Sequence, residues 1–508
     1  MILGRYIERN ARCFPQHPAI EFEGRSVSHL ELARRVRRLA SALRQRGVGH
    51  GARIAVLSQN CVEYLEAYGA ADSAGYILCG INYRLALTEQ AQILQDCEPA
   101  VLLYEPQYAD RVAQLRSDGV LCVPWGAEYE ALLASGSEAA ELPAPSPRDT
   151  CHLVYTSGTT GRPKGVMHSH RGMVELTRAI AATHAAQQTD RMLIVMPFYH
   201  IGGRIEQLAF SWVGATIILH RAFDPAAILD SLSRDRATCA HLAPVMIQAM
   251  LDAGVGDRDF SGLQTVCYAS SPMSVALLKR AIQTFGNIFM QVYGMTEHGC
   301  GSFLAKHQHK IDGDSRDLNR LASAGQVYIE AECRIVNALG AACQPGEVGE
   351  VWLRSATMMQ GYWRNPEATA AAIGSGWFKT GDLGYLDDED YLFIVDRSKD
   401  MIVSGGENIY SREVEEALAA HPAVAEVAVI GVPDARWGEA VKAFVALKPG
   451  MPVDEAGLIE HCRHLIAGYK KPRSIEFLQE LPRTVSTRKI DKKALREPYW
   501  SNHQRRVS

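Results

Sequence analysis

The sixteen residues from Tyr155 to His170, YTSGTTGRPKGVMHSH, set small, hydroxylated and glycine residues around one lysine, a composition suited to gripping a polyphosphate. Backbone N–H groups and hydroxyls of Thr156, Ser157, Gly158, Thr159, Thr160 and Gly161 can converge on phosphate oxygens, with Lys164 adding a point charge. The glycines remove the bulk that would block that approach. Before them, Cys151 to Tyr155 reads as a short buried strand, so the loop leaves a strand end, where open α/β sheets bind ligands. A Walker-type loop is disfavoured, because Arg162, Pro163, Lys164 and Gly165 stand where a Lys-Ser or Lys-Thr pair would follow the second glycine. A polar surface turn would account for five such residues, but not for this many in this order.

A second set, YGMTE from Tyr293 to Glu297, follows the apolar run Ile288 to Val292. It puts a ring, a flexible glycine (Gly294), a hydroxyl and a carboxylate at one strand end, which could serve a nucleotide and its magnesium. In isolation it fits a strand end with solvent-facing Thr and Glu equally well. The glycine-rich stretch resembles the phosphate loop of the adenylate-forming superfamily, which includes acyl-CoA synthetases, luciferases and the adenylation domains of nonribosomal peptide synthetases. The resemblance implies that Tyr293 contacts adenine, Thr296 the α-phosphate, and that Glu297 helps hold Mg²⁺. Ala269, Ser270, Ser271 and Pro272 resemble the small-residue turn that packs against adenine. Thr380, Gly381 and Asp382 resemble the motif whose aspartate takes the ribose hydroxyls, a task for a group with two acceptor oxygens; a turn aspartate bound to its own backbone is the plainer alternative. Arg397 resembles a second ribose contact.

Three further segments extend the resemblance over nearly the whole chain. PFYHIGG, Pro197 to Gly203, resembles the acid-binding segment, where His200 would sit by the substrate carboxylate or gate it, and Gly202 and Gly203 would leave room for an acyl or aryl group. His200 could equally be a satisfied structural residue. DRSKDMIVSGGENIYSREVE, Asp396 to Glu415, resembles the hinge and thioester segment, with Lys399 at the hinge and Ser404, Gly405 and Gly406 beside the pantetheine tunnel. Near the end, Leu481 to Thr484 and Lys489 to Lys492 resemble the loop of the catalytic lysine. Lys489 takes that role, with Lys492 as the alternative, because the chain departs from the pattern: Arg488 replaces the usual glycine, and Val485 to Arg488 holds one extra residue.

The remainder of the sequence supplies elements to position these groups. Ser28 to Arg46 reads as a helix with a capping box at Ser28 and Glu31, and Arg53 to Leu57 as a strand. Asn60 is expected to cap a helix through Ala74; Tyr76 to Ile81 is strand-like, Thr88 starts another helix, and Val101 to Tyr104 is a strand. The rhythm resumes with strands at Met192 to Met196, Thr216 to Leu219, Thr238 to His241 and Thr265 to Tyr268, which predicts a mainly parallel sheet. Beyond Gly325, glycine-punctuated short strands suit an antiparallel unit. The charged segment near Asp396 suits a linker before a compact α+β unit. The expected fold is therefore α/β: a large N-terminal domain, residues 1–396, of mainly parallel αβ layers plus a small antiparallel β unit, then a smaller mobile α+β domain, residues 397–508.

With 508 residues, 47% hydrophobic and 22% charged, the chain has an ordinary globular composition. A net charge of -4 gives no basic field for nucleic acid. No apolar run spans a bilayer, and the opening segment is too short and charged for a secretory signal, so cytoplasm is the expected location. Twelve scattered cysteines read as reduced, with Cys300 a lining residue at most. A homodimer, common among soluble enzymes, is compatible with this sequence. The resemblance implies an acid:CoA ligase that uses ATP and Mg²⁺ to turn a fatty, alicyclic or aryl acid into an acyl-AMP and then a CoA thioester. The alternatives are a stand-alone enzyme loading a carrier protein, and a nucleotide-binding homologue whose altered lysine loop has lost adenylation.

Overall fold

The computed structural model describes residues 1–115, 118–157, 163–271, 273–484 and 489–501. The chain forms two compact units: Met1–Cys333 with Leu353–Phe378, and Arg334–Trp352 with Lys379–Ser508. They are taken separately.

The first unit holds two large sheets. One, of nine strands, carries the parallel run Phe289–Met295, Thr265–Tyr268, Cys239–Leu242, Arg191–Ile194, Thr216–Leu219 and Pro18–Phe22, with antiparallel strands at its ends. The other, of seven strands, has the parallel core Thr150–Ser157, Ile77–Gly80, Arg53–Leu57, Val101–Tyr104 and Leu121–Pro124. Central strands such as Thr216–Leu219 and Thr265–Tyr268 are buried at every residue, because helices cover both faces of a parallel sheet. The helix read from the Ser28 capping signal runs His29–Gln45, and Ser28 accepts from the Glu31 N–H at 3.2 Å.

Two sequence readings needed the third dimension. Asn60 does not cap a helix, since the next one runs Val62–Ala74 with Cys61 at its N-cap. Asn60 instead donates to Met196 O at 3.1 Å and accepts from Phe198 N at 3.0 Å, tying down the segment before His200. The chain after the phosphate loop returns as the strand Pro163–Ser169, which pairs antiparallel with Thr150–Ser157.

A buried polar network sets the helix Ile201–Val213 against the rest of this unit. Arg204 is 1% exposed and pairs with Asp72, which also takes His152 Nε2 at 3.1 Å. The guanidinium lies 4.0 Å from the Tyr68 ring centroid. Helix Val62–Ala74 and strand Thr150–Ser157 thereby fix the helix that starts at His200.

The second unit contains the antiparallel pair Gly438–Leu447 and Val424–Asp434, flanked by the hairpin Ile402–Ser404 with Glu407–Ile409 and by the parallel strand Ser474–Phe477. Helices Ser411–Ala419 and Glu455–Arg463 cover an aliphatic core of Val414, Leu418, Val429, Val445 and Leu458. Strand Leu392–Arg397 pairs with the Asp382–Leu386 part of strand Trp377–Leu386. No helix among the described residues is long and apolar enough to cross a membrane.

Candidate active site

In the first unit, the phosphate-loop hairpin brings Thr156 opposite Lys164 at its end. Ser157 closes the first strand, while Gly158, Thr159, Thr160 and Gly161 lie outside the described residues. Lys164 Nζ sits 4.9 Å from the centroid of the Tyr362 ring, and the Tyr362 hydroxyl donates to Glu297 Oε1 at 3.1 Å. One tyrosine thus links the loop lysine to the carboxylate of YGMTE. Burial, then the Glu297 charge, raise the Tyr362 pKa above the usual tyrosine range, keeping it a donor. The adjacent aromatics Tyr362 and Trp363 do not show by themselves which one meets the site; that is decided once strand Gly361–Tyr362 pairs with strand Pro163–Ser169.

Glu297 and Thr296 occupy the turn between strands Phe289–Met295 and Gly299–Leu304. Met359 N donates to Glu297 O at 2.8 Å, which fixes that turn; Thr296 is buried and Tyr293 half-buried. A Cβ on Gly294 would collide with the Gly299 carbonyl, so the tight hairpin itself requires glycine there. The half-buried Glu297 fits a magnesium ligand: one oxygen is oriented by Tyr362, and Mg²⁺ commonly takes one or two carboxylates with phosphates and waters completing its shell. Tyr362→Phe removes a hydrogen bond to a charged group, about 1.5–3 kcal/mol, so steady-state kinetics are expected to show kcat/KM for Mg·ATP lowered about 10- to 100-fold.

Ser270 and Ser271 follow strand Thr265–Tyr268, and Pro272 lies outside the described residues. Ser270 has φ +74°, a left-handed conformation that costs a non-glycine residue on the order of 1 kcal/mol and gathers at ligand sites. His200 is the N-cap of helix Ile201–Val213, its Nδ1 accepting from Gly202 N at 3.2 Å. The two glycines behind it differ. A Cβ on Gly203 would stand 2.6 Å from Met196 O, so that position serves close backbone packing rather than substrate space. A Cβ on Gly202 would stand in ordinary contact with the His241 and His200 rings, at 3.4 and 3.5 Å, so a methyl group would fit there without a clash.

In the second unit, Asp382 and Arg397 are cross-strand partners, with Arg397 Nε 2.8 Å from Asp382 Oδ1. Thr380 Oγ1 accepts from Asp382 N at 3.0 Å and donates to Val351 O at 2.6 Å, which stiffens the TGD turn. Lys489 belongs to the same group. Crowding around its ammonium, then the Arg397 charge, lower its pKa to about 8, while Asp382 acts in the opposite sense. The Lys489 carbonyl accepts from Thr484 N at 2.7 Å, closing the loop in which residues 485–488 lie outside the described set. Lys492 is committed elsewhere, with Nζ 2.7 Å from both Ser411 Oγ and Glu415 Oε1.

Lys399 stands in the turn after Arg397, where Asp400 N donates back to Arg397 O at 2.8 Å. Ser404 and Glu407 pair across a two-residue hairpin whose Gly405 and Gly406 have φ of +62° and +88°, the conformation glycine pairs favour there. Gly405 N donates to Trp437 O at 2.8 Å, and a Cβ at this position would stand 2.7 Å from the Trp437 ring.

Two family models match, AMP-binding enzyme over residues 7–363 and AMP-binding enzyme C-terminal domain over residues 413–488. The feruloyl-CoA synthase of an Amycolatopsis species is 38% identical over 487 residues, covering 95% of this chain and 96% of its own. The indoleacetate–CoA ligase of Aromatoleum aromaticum is 36% identical over 497 residues, 96% of each chain. Among solved structures, the Bacillus subtilis o-succinylbenzoate CoA synthetase in complex with its acyl-adenylate intermediate matches with a TM-score of 0.87 at 30% identity, over 96% of this chain and 97% of that one. ATP-bound MatB from Rhodopseudomonas palustris matches with a TM-score of 0.89 at 28% identity, over 99% of this chain and 100% of that one. The chain belongs to the AMP-binding enzyme family of the adenylate-forming superfamily, as an ATP-dependent acyl-CoA synthetase.

Proposed function

We propose that this enzyme activates an aryl-bearing carboxylic acid with ATP, releasing pyrophosphate, and passes the acyl group from the acyl-AMP to the thiol of CoA. The observation that carries the reading is the pairing of a cation and an anion, Lys164 and Glu297, on one tyrosine beside the phosphate-loop hairpin. The aryl class is favoured because two relatives matching the chain over nearly its full length are named for feruloyl and indoleacetate acyl groups.

A carboxylate is a poor electrophile, and joining it to AMP supplies a good leaving group. Lys164 and the loop donors would offset charge on the β- and γ-phosphates, Thr296 would contact the α-phosphate, and Lys489 would stabilise charge developing between carboxylate and α-phosphate. Glu297 would hold Mg²⁺, which when bound supplies positive charge against the phosphate oxygens. Tyr293 and the Ser270–Ser271 turn would flank adenine, and Asp382 with Arg397 the ribose. His200 would face the acid's carboxylate. The segment from residue 397 onward would act as a lid turning about Lys399, withdrawing Lys489 after adenylation and bringing Ser404, Gly405 and Gly406 to the pantetheine arm.

Pyrophosphate release from ATP, measured with fatty, alicyclic and aryl acids with and without CoA, tests this reading. Acid-dependent release that turns over only with CoA supports it. Release unaffected by CoA would assign the acyl group to a different acceptor, and silence with every acid overturns the reading. A second expectation separates the half-reactions. Gly405→Val forces a branched residue into a left-handed conformation and toward Trp437, a strain of about 1–2 kcal/mol before any clash. Rapid-quench assays should find thioester formation slowed at least about tenfold, with acyl-AMP formation retained.

A further inference from the structure

Along the chain the cysteines stand singly, with no C-x-x-C pair to mark a metal-binding loop. Folding nevertheless gathers a set of metal-ligating side chains from four separate elements of the first unit. His184 ends helix His170–His184, and Glu206 lies on helix Ile201–Val213. His241 and Cys267 are direct neighbours on the parallel strands Cys239–Leu242 and Thr265–Tyr268. None of the four is more than 6% exposed. His184 Nε2 lies 3.3 Å from Glu206 Oε2, and His241 Nδ1 lies 3.5 Å from Glu206 Oε1. Among the described residues, His184, Glu206 and Cys267 are the one trio of His, Cys, Asp or Glu side chains whose ligand atoms all fall within 4.8 Å of one another.

These separations are close to those of a tetrahedral zinc shell. Bonds of about 2.0–2.1 Å to nitrogen or oxygen and about 2.3 Å to sulfur put N and O ligand atoms about 3.3 Å apart, and a sulfur about 3.6 Å from either. The His184–Glu206 edge already has that length, and Cys267 needs an approach of at most about 1 Å, within the reach of a side-chain rotation. His241, beside the other Glu206 oxygen, is placed to complete four ligands from the sheet side. The charges also balance. Glu206 as carboxylate and Cys267 as thiolate carry two negative charges against a divalent ion, and two neutral imidazoles add none, so no net charge is buried. Thiolate and imidazole select zinc over magnesium or calcium, which take oxygen. Without a metal the same groups form an ion pair flanked by a thiol, a weak hydrogen-bonding group.

We propose that His184, Glu206, His241 and Cys267 form a structural zinc site that staples helices His170–His184 and Ile201–Val213 to the nine-stranded sheet. Four protein ligands close the coordination shell, so the ion has no open position for catalysis. Binding releases the Cys267 thiol proton and the His184 ion-pair proton to solvent, and the ion's two charges take their place. Because the ligands come from four elements far apart in the chain, the site exists only in the folded unit, and the binding free energy adds to its stability.

Metal binding itself is the test. Full-length wild type is stripped with a chelator, checked for folding by circular dichroism, and titrated separately with zinc and with cobalt(II). Cobalt reports a cysteine ligand through thiolate charge-transfer absorption and a four-coordinate shell through strong visible bands. The expected result is one metal per chain by elemental analysis, a cobalt spectrum with both features, and a melting temperature that rises with free zinc. Cys267→Ser should abolish the charge-transfer absorption and weaken zinc at least about 100-fold, since even an outer-shell partner is worth about 10- to 100-fold. Glu206→Gln should weaken zinc by a similar factor while keeping the thiolate absorption. Cys343→Ser, in the second unit, is the control and should match wild type. A stripped wild type that unfolds and is restored by zinc also supports the proposal. Wild type that stays folded yet takes up no stoichiometric metal, cobalt bound without the thiolate absorption, or undiminished zinc affinity in Cys267→Ser overturns it. The wild-type spectrum decides even where a variant fails to fold. Acyl-CoA formation enters none of these readouts, so either outcome leaves the ligase reading standing.

Discussion

Lys489→Met is expected to slow acyl-AMP formation by about 10²–10³-fold, the usual loss when one preorganised donor to developing charge is removed. Thioester formation from supplied acyl-AMP should stay within about threefold of wild type. The asymmetry follows from the proposed lid: Lys489 is needed while the α-phosphate is attacked and withdrawn afterwards. Its surroundings add a pH signature. With the pKa lowered to about 8 by crowding and Arg397, the charged form dominates below that value and is lost above it. Single-turnover adenylation should therefore fall as pH rises through about 8, while the thioester step lacks that inflection. Lys492→Ala is the control. Because Lys492 is bonded to Ser411 and Glu415, its loss should appear as lower stability of the second unit, seen in thermal unfolding, rather than as a selective loss of adenylation. A selective adenylation defect in Lys492→Ala, with Lys489→Met active, would transfer the catalytic role to Lys492.

Asp72→Asn is expected to destabilise the first unit by about 3–5 kcal/mol, the range for breaking a buried ion pair from one side. Arg204 would keep its charge beneath Tyr68 with a neutral amide in place of the carboxylate, whose single oxygen can accept from Arg204 or from His152 but not replace both contacts. Denaturant unfolding followed by tryptophan fluorescence would measure the change. The Asp72→Leu and Arg204→Met double variant should recover a substantial part of it, because no unpaired charge then remains. In the folded chain, burial raises the Asp72 pKa, but Arg204 and His152 more than offset it, so the net shift is downward. The contribution is therefore complete above the ordinary aspartate range and fades as pH falls through the lower folded value. Since Arg204 lies on the helix that begins at His200 and carries Glu206, a loosened helix should also raise KM for the acid, whereas a change in stability alone would leave it unaltered.

Elements whose signals are local can be read along the chain. Strands Arg53–Leu57, Val101–Tyr104, Thr216–Leu219 and Thr265–Tyr268 stand where short apolar runs between turn residues put them. The Ser28 cap was legible because its partner is three residues away. The Ser404–Gly406 turn declared itself through two glycines, which its left-handed backbone favours. How distant groups meet follows from the folded arrangement. It put Tyr362 between Lys164 and Glu297, grouped Lys489 with Asp382 and Arg397 while tying Lys492 to Glu415, and set Asn60 to pin the segment before His200. It also separated Gly203, which close backbone packing requires, from Gly202, where a Cβ would make only ordinary contact with His241 and His200. Helix caps and turns depend on neighbours a few residues apart and so leave a pattern in the chain. Contacts between residues tens to hundreds of positions apart depend on strand order and helix packing, which no local spacing encodes.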